Sequence, residues 1–271
     1  MTSSTSRSPR RRRGSLWAWL IFVIGFVYFF LPLLATLEFS LRMKPFGQAY
    51  ANVLRDPKFA QSLGYSFLIG IATIVISLIL IVPTAYWVRL KVPRLRPLVE
   101  FVTLMPFVIP PVILVFGLIR IYSRQPLVLT ATDLGSNALL VAAYVVLSFP
   151  YMYRAVDTGL AAMDVRTLTE AAQSLGAGWG RILWQIIFPG LRVALLSGAF
   201  LTLAIVVGEF TIATFLARPA FGPYLSLLGQ NRAFEPAAVA LISFGLTWAA
   251  MGTIALFGRG TRGRVQVTGA R

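Results

Sequence analysis

The chain contains no cysteine and no histidine. The first absence excludes a disulfide framework, a thiol nucleophile and any cysteine-based metal site. The second removes the commonest general base, the Ser-His-Asp triad and every histidine-ligated metal. Acids are scarce as well, nine against 25 Lys and Arg, and charged residues make up only 13% of the 271 positions. An ordinary soluble domain carries about 25%. Only three lysines occur, Lys44, Lys58 and Lys91, and none is followed by Ser or Thr. There is no phosphate-cradling lysine motif, and nothing in the chain itself reads as an ATP site. What fills the sequence is apolar: 57% of residues, with a mean hydropathy of +0.77. Disorder and a collagen repeat are excluded on the same grounds.

The formal charge of +16 invites a nucleic-acid reading, but the basic residues fall between long apolar runs and form no stripe along one surface. Six apolar segments of membrane-spanning length run over 16–37, 62–88, 98–119, 134–153, 193–216 and 236–257. About 20 apolar residues cross a hydrocarbon core of roughly 30 Å. Inside that core each segment must be helical to satisfy its own backbone. The first follows Arg10, Arg11, Arg12 and Arg13. It is longer than a signal-peptide core and lacks a clean small-x-small cleavage site, so it reads as an uncleaved helix with the arginines as topology anchor. With the N-terminus in the cytoplasm, 17 of the 25 Lys and Arg fall on the inner side, the bias the positive-inside rule requires. An even number of spans returns the C-terminus to the same side. Trp17, Trp19 and Trp87 lie near span ends, where aromatics anchor at the interface.

The connection from 156 to 192, on the inner side, is too polar to span and too patterned to be loose. A helix is expected over 160–174, ended by Gly176, since glycine is the usual left-handed residue past a helix terminus. A second is expected over 179–187, loosened at its start by Gly178 and Gly180 and stopped by Pro189-Gly190. Leu168, Ala172 and Leu175 recur at helical spacing, as do Ile182, Leu183, Ile186 and Ile187. The plain reading is an interfacial helix pair.

A more specific reading rests on Glu170-Ala171-Ala172, Gly176 six residues after the Glu, and Ile186-Ile187-Phe188-Pro189. This pattern resembles the EAA loop of the membrane subunits of binding-protein-dependent ABC importers, with Phe188 where the family has Leu. The stretch 59–88 resembles the start of that family's membrane core. The stretch 104–119, with Pro106, Pro110 and Pro111, resembles its third helix. The likeness covers roughly 59–258. It implies an all-α membrane protein with six transmembrane helices, the type I ABC importer permease fold and a cytoplasmic coupling-helix hairpin. The implied division is a basic tail at 1–15, a first helix and outer loop at 16–58, a permease core at 59–258 and a second basic tail at 259–271. Glu170, Ala171, Ala172, Gly176 and Pro189 would then form the ATPase-coupling element. Glu170 would meet the ATPase or brace the hairpin.

Glu209 is the one acid expected deep within a span, where a charge costs at least about 2.5–3.5 kcal/mol. Gly198, Thr202, Ile205 and Ala213 share its helical face. It reads either as a cation-attracting group in the translocation pathway, with Thr202, or as a structural acid at a helix interface. Glu100 lies near a span end. Pro106, Pro110 and Pro111 remove backbone donors from the third span, giving either a flexible pathway-lining helix or a static kink.

The resemblance implies a permease without bond chemistry, not an enzyme, in the bacterial inner membrane. It has no cofactor of its own; ATP and Mg belong to separate ATPase subunits. The other implied partners are a second permease subunit, copy or paralogue, an extracytoplasmic solute-binding protein and the lipid bilayer. The overall look is that of spermidine/putrescine permeases, close to those for ferric iron, thiamine and phosphonate. An ion-gradient-driven secondary transporter would instead show paired intramembrane acids and inverted repeats, and a membrane-embedded enzyme would show clustered acids or histidines. Neither pattern is seen in the sequence.

Overall fold

The computed structural model describes residues 14–259. The basic runs at Arg10 to Arg13 and beyond 259 lie outside them. Among the described residues all regular structure is helical. In order, the helices are α1 (Gly14–Leu41), α2 (Gln48–Arg55), α3 (Pro57–Lys91), α4 (Arg96–Leu104), α5 (Pro111–Tyr122), α6 (Asp133–Ala161), α7 (Val165–Ser174), α8 (Trp179–Ile182), α9 (Phe188–Gly208), α10 (Thr211–Phe215), α11 (Phe221–Asn231) and α12 (Glu235–Arg259).

Local chemistry sets the ends of the long helices. Pro57 occupies the first turn of α3, and the Asp56 carboxylate accepts the Lys58 N–H, an N-terminal cap that satisfies an otherwise orphan donor. The Thr132 hydroxyl does the same for Gly135 at the start of α6. α3, α6 and α9 form the centre of the molecule. Their contact faces are small and weakly polar. Ser77 and Ser148 share a buried 2.8 Å hydrogen bond between α3 and α6. A Cβ on Gly198 of α9 would lie 2.8 Å from the Met152 sulfur and 3.2 Å from the Ala155 Cβ of α6, so the two backbones approach as only small residues permit. α1 packs on α12, and its aromatic stretch from Trp17 to Phe30 remains exposed, as an apolar helix facing lipid tails would be.

Among the described residues, four helices are long and apolar enough to cross a membrane: Trp17–Leu41, Pro57–Lys91, Asp133–Ala161 and Trp179–Gly208. A fifth counts if the pair Pro93–Phe107 and Pro111–Tyr122, bent by 94°, is one broken span. The expected sixth coincides with α12, whose described apolar stretch Glu235–Ala249 is too short by itself. Six full spans are therefore not reached among the described residues.

Three expected elements are redrawn. The third span is not a kinked helix but a broken one. Pro106 lies in a 3₁₀ turn (Met105–Phe107), and Pro110 is extended at the start of α5. Three missing or displaced donors within six residues leave no helical register to continue. The fourth span runs on through Pro150 to Ala161, so the first hairpin helix begins at Val165 rather than 160. Pro189-Gly190 does not stop the second hairpin helix. Trp179–Gly208 is one continuous helical run, with a π turn at Leu183–Ile187. The widened turn re-registers the hydrogen bonds just ahead of the proline, which has no N–H to donate.

Candidate functional site

The hairpin is built from α7 and α8. The Asp164 side chain caps α7 by accepting the Thr167 N–H at 3.2 Å. Hydrogen bonds from the Thr167 side chain, then from its backbone N–H, hold the Asp164 carboxyl below its ordinary pKa. At the other end Gly176 has φ +79°, a conformation that costs a residue with a Cβ. Its N–H donates to the Gln173 carbonyl at 2.9 Å and the Ala177 N–H donates to the Ala172 carbonyl at 3.0 Å. These paired bonds make a Schellman terminus, so the glycine does end the helix where the sequence places it.

The buried stripe of α7 is Val165, Thr169 and Ala172. The expected stripe of Leu168, Ala172 and Leu175 is correct only at Ala172: Leu168 is 39% exposed and Leu175 89%. Each buried position lies against the bundle, which leaves Leu168, Ala171 and Leu175 outside with Glu170. Glu170 forms an exposed ion pair with Arg166 at 2.9 Å, within its own helix. That pair raises the Arg166 pKa through the hydrogen bond and the charge of Glu170. Pro189 is exposed.

The hairpin is tied firmly to the bundle by residues the sequence did not single out. The Tyr86 hydroxyl of α3 and the Thr169 hydroxyl share a buried hydrogen bond of 2.9 Å. Tyr86 also meets Trp179 edge-on at 6.3 Å. Lys91 Nζ lies over the Trp179 ring at 5.1 Å, a cation–π contact. Ile81, Val82 and Ala85 of α3 share one apolar core with Val165, Ala172, Ile182 and Ile187. The only available signal for Thr169 was its helical spacing between Val165 and Ala172.

A second feature is an open cleft of about 630 Å³ between the broken span and the end of α9. Pro106, Pro110, Pro111, Tyr151, Ile205 and Glu209 all line it. Four of the five expected pathway residues therefore come together. Thr202 does not: it is fully buried, and its hydroxyl oxygen has no hydrogen-bond partner.

Glu209 does not sit within a helix. α9 ends at Gly208, and Glu209 takes an extended conformation as its cap. Its carboxylate accepts the N–H of Ile212 at 3.0 Å and of Ala213 at 3.3 Å. It also accepts the Tyr144 hydroxyl at 3.0 Å. The acid thus holds the break between α9 and α10 while bordering the cleft. Tyr144, its partner from α6, was invisible in the sequence because nothing local connects the two.

The family model for the inner membrane component of binding-protein-dependent transport systems matches residues 81–260. The molybdenum transport system permease protein ModB of Escherichia coli is 32% identical over 124 residues, covering 42% of this chain and 53% of that protein. The chain thus spans about half the length of that relative. The spermidine/putrescine transport system permease protein PotB of Haemophilus influenzae is 26% identical over 221 residues, 74% of this chain and 75% of that protein. Among solved structures, a chain of a bacterial ABC transporter that imports alginate superposes with a TM-score of 0.72 at 13% identity, covering 93% of this chain and 97% of that one. At such identity the likeness concerns the fold.

Proposed function

Since the chain belongs to the family of inner membrane components of binding-protein-dependent transport systems, we propose that it forms half of a solute pathway through a bacterial inner membrane. A separate ATPase, holding ATP and Mg, drives it. A second permease copy or paralogue completes the pathway, and an extracytoplasmic binding protein delivers the solute. Both termini and the hairpin face the cytoplasm. The chain makes and breaks no bonds; it alternates between states that its partners bias.

The single observation that carries this reading is the hairpin's division of faces. Val165, Thr169 and Ala172 are buried against α3, while Glu170, Ala171 and Leu175 face outward. Such an element is rigid on the bundle side and free on the other, as a docking lever must be. Gly176 and Ala172 shape its turn, and Pro189 lies just after the π turn that joins it to α9. Gly176→Val and Glu170→Lys test the assignment in proteoliposomes containing the full transporter. The expected outcome is normal insertion of the chain with loss of ATP-driven uptake. Unchanged uptake in both variants contradicts it.

For the solute we propose a polyamine of the spermidine/putrescine type. The reading rests on the Glu209 carboxylate at the cleft and on the likeness to PotB over three quarters of both chains. Ferric iron, thiamine and phosphonate remain within the same machinery. A second reading, an oxyanion, is favoured by the use of Glu209 as a helix cap and by the likeness to ModB. Titrating the companion binding protein with spermidine and with molybdate separates the two.

A further inference from the structure

Asp157 sits in the last two turns of α6, its side chain 16% exposed, between two arginines. Arg89 of α3 donates to Asp157 Oδ1 at 3.1 Å and to its backbone carbonyl at 3.3 Å. Arg96, the first residue of α4, donates to Oδ2 at 2.8 Å. Arg96 also pairs with Glu100, one turn along α4, at 3.0 Å. Otherwise α4 is held by Thr103, its one buried residue, and by Val99, partly buried against the apolar core of α3, α6 and the hairpin. Its far end is pinned to α6 by Phe107 against Tyr151, edge to face at 5.3 Å, at the rim of the cleft. Beyond that lies the 94° break.

The charges are arranged so that α4 can leave α6 without orphaning an ion. On separation Arg96 keeps Glu100, which travels with it. Asp157 keeps Arg89, which stays behind. Stripping a half-buried carboxylate of its only partner would be strongly destabilising; here neither side is stripped. The charged contact is therefore separable at the modest cost of one partly exposed ion pair, beside the packing of one partly buried valine, Val99. Asp157 also lies just upstream of the hairpin, since α6 ends at Ala161 and α7 begins at Val165.

We propose that Arg96–Asp157 is a latch. It holds the inner half of the broken span against α6, next to the rim of the cleft, and displacement of the hairpin moves Asp157 and releases it. Asp157 and Arg96 are positioning residues for the transport step. The inference rests on the hairpin's role as a lever.

The absence of cysteine supplies the test. Ala204→Cys places the sole thiol of the chain in the cleft wall, and its modification by a membrane-impermeant maleimide is followed from the inner side in vesicles carrying the complete transporter. Arg96→Gln should raise the modification rate about two- to fivefold, with Asp157 still paired to Arg89 and the fold kept. Arg96→Lys should leave the rate near that of the parent. Glu100→Gln spares the Arg96–Asp157 contact but removes the partner that Arg96 keeps on release, so it should not raise the rate. An unchanged rate in Arg96→Gln, or an equal rise in Glu100→Gln, overturns the latch. A rate that responds to Arg96→Gln but not to ATP supports the latch and overturns the coupling to an ATPase instead.

Discussion

Glu209 was expected within a span and lies instead at the end of one, as the cap of α9. Hydropathy counts composition, and the apolar run from Phe210 to Leu216 hides the end of the helix at Gly208. The carboxylate replaces the missing helical partners of Ile212 and Ala213 and accepts the Tyr144 hydroxyl. Glu209→Ala leaves these donors unsatisfied and should cost about 1–3 kcal/mol, seen as a lower thermal midpoint in detergent. Glu209→Gln keeps one acceptor oxygen and should lose distinctly less. An unchanged midpoint in Glu209→Ala would mean that the cap contributes nothing. Gly176 is the opposite case. The left-handed terminus it provides was legible because almost any other residue is strained there, and the structure places it at φ +79°.

Among the elements, the helices whose ends carry caps were readable and those shaped by tertiary context were not. Proline was an ambiguous sign. Pro150 lies inside an unbroken α6 and Pro189 inside an unbroken run, yet Pro106, Pro110 and Pro111 break the third span. The difference is number: a single missing donor is absorbed by a local adjustment, whereas three close together abolish the register. The offset in the α7 stripe has another cause. Leucine spacing marks an apolar face, but two apolar faces were present, one for the bundle and one left outside. The close approach of α6 and α9 also rests on an element-scale feature, Gly198. Gly198→Leu forces a side chain into the Met152 and Ala155 contacts and should destabilise by about 1–3 kcal/mol. Thermal unfolding of the purified chain would register it, and an unchanged midpoint would show that the helices can separate freely.

At the scale of the whole molecule, class and membrane residence followed from what is scarce, and the family from one short patterned stretch. The cleft could not be read the same way. Its walls come from α6, the broken span and the end of α9, segments up to about a hundred residues apart, and no local pattern marks their meeting. The hairpin, by contrast, is continuous in sequence, so its residues were named together even though its exact ends were not. The account as a whole stands on that hairpin lying on the inner face and touching an ATPase. Leu175, 89% exposed on its outer face, reports this directly in a chain with no native cysteine. Leu175→Cys should react with an impermeant maleimide only from the cytoplasmic side and should be shielded when the ATPase subunit is bound. Reaction from the outer side, or reaction indifferent to the ATPase, would contradict the account.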